Sequence, residues 1–218
     1  MSSDNQKLVS SLCQQLHSRG HALVPGTGYA IKDGSVVEIL TEKVYFNFFV
    51  IFREHVFIPP GEVHLDRLEQ EDVFTFNTEF DSDGNPELSR EAASPCHNIS
   101  AYTNLFLRVF QDFDCGCVIY AQPTSAMVVS EIFSKQFKIR NNQLITQISN
   151  GETKEQYPWT HELMVPIINN PDDQTKMFDK LEDAFTKNPE TNAVIVKGEA
   201  LSYLFSCSKN QCLNSKFR

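Results

Sequence analysis

The chain has 218 residues, 41% of them hydrophobic and 22% charged, with 19 Lys plus Arg against 28 Asp plus Glu, a formal net charge of −9. That composition excludes an intrinsically disordered chain and fits one core, so a single domain over 1–218 is expected. The acidic balance, without any basic run, argues against a surface that tracks nucleic-acid phosphates.

The amino terminus, MSSDNQKLVSSLCQQL, has neither the basic start nor the continuous apolar run of a secretion signal, so a cytoplasmic protein is expected. The most apolar stretch, VYFNFFVIF at 44–52, is about half of the roughly 20 residues a membrane span needs and contains Asn47. No membrane association is expected. Six widely spaced cysteines in a cytoplasmic setting are expected as thiols rather than disulfides.

In chain order, Leu8, Val9, Leu12 and Leu16 carry the spacing of an amphipathic helix over 4–19, with Gly20 as its stop. Short apolar runs at VVEIL, VFIPP and EQEDVFTF predict strands. The polar, turn-rich DSDGNPELSREAASP predicts a surface loop. A helix is expected over 98–109, then a buried strand at CGCVIYAQ leading into a helix at TSAMVVSEIFSK. ELMVPII predicts a strand, TKMFDKLEDAFT at 175–186 an amphipathic helix, and NAVIVK a final strand. Strands alternating with helices imply an α/β or α+β layered domain.

Eight segments, in this order and spacing, resemble the class II aldolase/adducin family, specifically its methylthioribulose-1-phosphate dehydratase branch of methionine salvage. They are the opening helix, the glycine loop in VPGTGYAI, VFIPPGEVHLDRLEQEDVF, TNLF at 103–106, CGCVIY, FKI at 137–139, ELMVPII and NAVIVK. The resemblance implies a three-layer α/β domain with a central, mainly antiparallel sheet, assembled as a homo-oligomer, a tetramer with sites near subunit boundaries. It also implies a zinc ion on a His-x-His pair and a later histidine, with a glutamate as general acid/base.

At each of those positions this sequence carries another residue. The metal histidines fall on Tyr120, Gln122 and Glu199, and the glutamate on Gln143. An amide neither takes up nor releases a proton in the working pH range, so Gln143 removes the acid/base step. A substrate-site cysteine becomes Tyr102, and the pair near the substrate phosphate becomes Gly61-Glu62. Tyr29 and Ala30 replace small residues of the glycine loop.

None of the six histidines forms a His-x-His pair, and a phenol, an amide and one carboxylate are a poor zinc set. The expectation is a protein without a metal cofactor, or with zinc only if the family activity survives. Cys115 and Cys117 could join Cys207 and Cys212 in a soft metal site, but packing thiols are the simpler reading, and Cys96 beside His97 reads as loop. The Phe-rich stretch at 40–55 has no family counterpart; it reads as a partner-docking insert, a buried strand or a translated short intron. The chain ends at Arg218, where family members continue, so a shortened carboxyl terminus is expected.

The leading expectation is an inactive relative with a binding or regulatory role, assembling with itself or with an active paralogue. The alternatives are an active zinc dehydratase converting 5-methylthioribulose 1-phosphate to 2,3-diketo-5-methylthiopentyl 1-phosphate, and an adducin-like scaffold.

Overall fold

The structure, a computed structural model, describes residues 2–21, 28–32, 55–80, 82, 86–90, 97–113, 115–173, 176–198 and 200–205. They fall into two compact units, one up to Ile119 and one from Tyr120 onward. Glu199 and the segments at 33–54 and 206–218 lie outside the described residues, as do VVEIL and Cys96.

The first unit opens with α1 (Ser2–Ser18), whose Val9, Leu12 and Leu16 are buried as their spacing requires. Gly20, at φ 72, ends it. Its N–H donates to the His17 carbonyl and that of His21 to the Leu16 carbonyl, the paired bonds that satisfy a helix's last carbonyls. The buried Gln6 and the exposed Gln14 donate their side-chain amides to the Val73 and Leu68 carbonyls, both at 2.8 Å. These bonds tie the helix to turns that have no ladder of their own.

The strands of this unit are β1 (Gly28–Lys32), β2 (His55–Ile58), β3 (Phe74–Phe80), β4 (Pro86–Arg90) and the first three residues of β5 (Cys117–Ala121), in the order β4-β3-β2-β1-β5. Pairing is antiparallel from β1 through β4, with Phe57 opposite both Ile31 and Thr75. Helix α2 (Thr103–Asp112) packs on β3 and β4, and α1 on β1 and β2.

Three expectations are corrected here. EQEDVFTF is not one strand: Gln70–Asp72 form a 3-10 turn, because the Asp72 carboxylate accepts from the Glu69 N–H in a capping box, and β3 begins at Phe74. The stretch read as a loop contains β4, an edge strand held by backbone bonds to β3, where its polarity and an opening proline are tolerated. The helix expected from 98 starts at Thr103. Residues 98–100 are engaged elsewhere: Asn98 accepts from the Gly61 N–H at 2.9 Å and donates to Glu62 at 2.6 Å.

The second unit contains α3 (Thr124–Ile132), β6 (Gln136–Ile139), β7 (Leu163–Ile168), α4 (Met177–Lys187), β8 (Ala193–Val196) and β9 (Ala200–Phe205), with strand order β9-β8-β7-β6. β7 and β8 run parallel, because α4 carries the chain back between them. Ala126 and Val129 of α3 pack with Val165, Ile167, Ala193 and Ile195. Helix α4 packs on β7 and β8 through a face that buries Met177, Phe178, Leu181, Ala184 and Phe185. All four residues of β8 are buried, the pattern of a strand covered on both sides, its Val194, Ile195 and Val196 side chains each contributing about 1.5–3 kcal/mol.

NAVIVK is therefore not the final strand. Gly198, at φ 75, turns the chain so that β9 pairs antiparallel with β8, Val196 opposite Ala200.

Candidate functional site

Tyr102 lies in the first unit, at the start of α2, half-buried, its N–H donating to the Ser100 hydroxyl at 3.2 Å. The neighbouring Pro59 to Glu62 stretch is clasped by Asn98, and the exposed Glu62 carboxylate accepts its amide. Ala30 is fully buried within β1. His97 Nε2 lies 2.9 Å from the Asp72 carboxylate, and Cys13, Cys115 and Cys117 are buried.

The other described positions belong to the second unit. Tyr120 is 1% exposed on β5, while Gln122, two residues on, is half-buried beyond the strand's end. Gln143 opens a 3-10 segment (Gln143–Gln147) capped by Asn142, whose Oδ1 accepts from the Leu144 N–H at 2.9 Å. Its side chain is exposed and lines an open cavity of about 390 Å³ with Thr146 and Trp159. Ile145, 1% exposed, anchors that segment by packing with Tyr157 and Leu163.

Beside it, the Tyr157 and His161 rings stack with centroids 4.1 Å apart and planes 16° from parallel. The Tyr157 hydroxyl donates to the Glu190 carbonyl at 2.7 Å. Burial first, and then the Glu190 charge, push this hydroxyl from 10.0 up to about 12. The folded protein thus holds the proton more tightly than the unfolded chain. The associated stability is complete below about pH 10 and lost as pH rises from there through about 12. Tyr157→Phe is expected to flatten the alkaline limb of a Tm-against-pH profile and to cost about 1 kcal/mol at neutral pH. An alkaline limb identical to that of the parent would mean that another group sets it.

Glu162, just before β7, meets Lys138 of β6 at 2.5 Å and Arg140 just past the end of β6, and hydrogen bonds from these two hold its carboxyl below the usual range. Among the described residues, no three His, Cys, Asp or Glu side chains gather as metal ligands. No described helix is long and apolar enough to cross a membrane. Sequence reasoning missed Trp159 and Thr146; the signal available was the chain's sole tryptophan, set in the turn sequence PWTH.

The mainly antiparallel sheet with helices packed on it is the architecture of a class II aldolase. The family model for the Class II Aldolase and Adducin N-terminal domain matches residues 7–201, and the chain belongs to this family. Within it, the similarity is to methylthioribulose-1-phosphate dehydratases. The probable enzyme of that name from Leishmania braziliensis is 23% identical over 91% of this chain and 77% of its own length. The one from Aquarana catesbeiana is 26% identical over 87% and 70%. Among solved structures, L-fuculose-1-phosphate aldolase from Thermus thermophilus superposes with a TM-score of 0.56 at 14% identity, covering 95% of this chain and 83% of that one. YgbL of Escherichia coli gives 0.59 at 13% identity, covering 94% and 80%. At these identities the structural likenesses establish the fold.

Proposed function

We propose that this chain is a non-catalytic member of the methylthioribulose-1-phosphate dehydratase group, with a binding or regulatory role as a homo-oligomer or beside an active paralogue. The observation that carries the reading is the residue chemistry at the family's working positions. A zinc site needs imidazole, thiolate or carboxylate donors at about 2.0–2.3 Å around an accessible centre. Tyr120 offers a phenol that is 1% exposed, and Gln122 an amide. Neither fits a zinc ion, and Gln143 has no proton to exchange where the family has its acid/base carboxylate. The exposed Met127, Val128 and Ile132 side chains of α3 support a binding role, because contiguous apolar surface on a domain marks interfaces.

The test is elemental mass spectrometry of the purified, tag-free protein grown with added zinc, followed by a dehydratase assay. The expected result is zinc far below one per chain and no turnover, with Gln143→Glu alone restoring none. One zinc per chain with dehydratase turnover would overturn the reading and leave an active enzyme with unconventional ligands.

A further inference from the structure

Asn150 and Gly151 form the chain's sole Asn-Gly pair. In such a pair the glycine's backbone nitrogen is free to attack the asparagine side-chain amide carbon, because no Cβ hinders the ring that closes. The electrophile is prepared for that attack. Asn150 Oδ1 accepts from the Glu152 and Thr153 N–H groups at 2.8 and 2.9 Å. Two donors on one amide oxygen stabilise the negative charge that develops there when a nucleophile adds to Cγ.

The nucleophile is withheld. The Gly151 N–H donates to the Glu190 carbonyl at 2.7 Å. An amide nitrogen must give up its proton to attack, and here the anion left behind would face the lone pairs of that carbonyl. The Tyr157 hydroxyl donates to the same carbonyl at 2.7 Å and fixes it in place. Gly151 has no room to turn away, since even a Cβ would lie 2.5 Å from the Pro189 carbonyl oxygen and 2.8 Å from that of Thr191. Lys154 Nζ donates to the Gly151 carbonyl, and the Asn192 amide, donating to the Ser149 carbonyl at 2.7 Å, ties the loop to 189–192.

We propose that Asn150 is a deamidation site gated by the contact of Gly151 with 189–192, closed while Glu190 holds the Gly151 N–H and open when the loop leaves it. On opening, the Gly151 nitrogen bonds to Asn150 Cγ, the Cγ–Nδ2 bond breaks, and Nδ2 leaves as ammonia with the Gly151 proton. Water then opens the cyclic imide at either carbonyl, giving aspartate or isoaspartate at 150. Aspartate keeps an oxygen for the Glu152 and Thr153 N–H groups. Isoaspartate lengthens the main chain and cannot seat Gly151 between Pro189 and Thr191. The modification is thus a one-way mark on molecules whose loop has opened, and it stands independently of the loss of catalysis.

The test follows conversion at Asn150 by peptide mass spectrometry, with the full chain held in mildly alkaline buffer either folded or unfolded in urea. The folded chain is expected to convert about tenfold or more slowly, because reaction waits on local opening. Asn192→Ala, which loses the tie to Ser149, is expected to convert about fivefold faster than the parent when folded, the loss corresponding to one hydrogen bond. Equal rates in the folded and unfolded parent would overturn the gate. A folded Asn192→Ala converting at the parent's rate would overturn its placement at 189–192. Circular dichroism checks that the variant folds. Should it not, the parent in urea below its unfolding transition decides: a rate that rises there supports local opening, and one that follows only the unfolded fraction overturns it. Zinc and turnover in the dehydratase test would leave these rates unaltered, so the two readings fail separately.

Discussion

Tyr120→Ala is expected to lower the unfolding free energy by about 3–5 kcal/mol, the range for deleting a large buried aromatic side chain. Tyr120 is 1% exposed, and every residue of β5 around it is buried. Truncation leaves a cavity that a packed strand cannot collapse to fill, so the lost transfer energy and the cavity term add. Gln122→Ala, two residues further along and half-buried, is the internal control, expected within about 0.5 kcal/mol of the parent. Urea unfolding of both variants at neutral pH checks the contrast. It also bears on the proposed function: with a core phenol at the position proposed to match a family metal ligand, Tyr120→His would have to repack the strand as well as supply a ligand. Equal, small effects for both substitutions would mean that the Tyr120 side chain is accessible, and would reopen the question of a ligand there.

Gly151→Ala is expected to destabilise the second unit by about 2–4 kcal/mol, combining overpacking with the loss of a hydrogen bond. A Cβ at this position would lie 2.5 Å from the Pro189 carbonyl oxygen, 2.8 Å from that of Thr191 and 2.9 Å from Asn192 Oδ1. Two of these atoms are backbone, so no side chain can swing aside. The Gly151 N–H also donates to the Glu190 carbonyl at 2.7 Å, and Asn192 donates its amide to the Ser149 carbonyl at 2.7 Å. Pushing the loop outward strains both bonds, along with the Tyr157 bond to Glu190 that steadies the Trp159 turn. Denaturant unfolding gives the energy, and the emission maximum of Trp159 reports whether the turn moves with the loop. A variant as stable as the parent would place 149–157 away from 189–192.

The elements with strong periodicity were legible from residues alone. α1, α4, β7 and β8 follow from apolar spacing, since a helix that buries one face and a strand that buries both leave different patterns in the chain. β4 and the opening of α2 were not, because their conformation is set by partners distant in sequence. PELSR becomes a strand through the backbone groups that β3 offers it, and 98–100 stay out of a helix because Gly61 and Glu62 hold Asn98. Gln70–Asp72 turned on a local carboxylate cap that apolar patterning does not register.

For the site, the order of segments in the sequence pointed to the family, which matches residues 7–201, and to Tyr102, Tyr120, Gln122 and Gln143 as the residues proposed for its working positions. Chemistry at those positions follows from residue type, because a phenol and an amide bring the same donors and acceptors wherever they sit. Only the tertiary structure decided that Tyr120 is core while Gln143 faces a cavity, and that Trp159 shares that cavity with Thr146. Burial and juxtaposition depend on how separate segments pack on a common cluster, here Ile145, Tyr157 and Leu163, and no local pattern along the chain encodes that meeting.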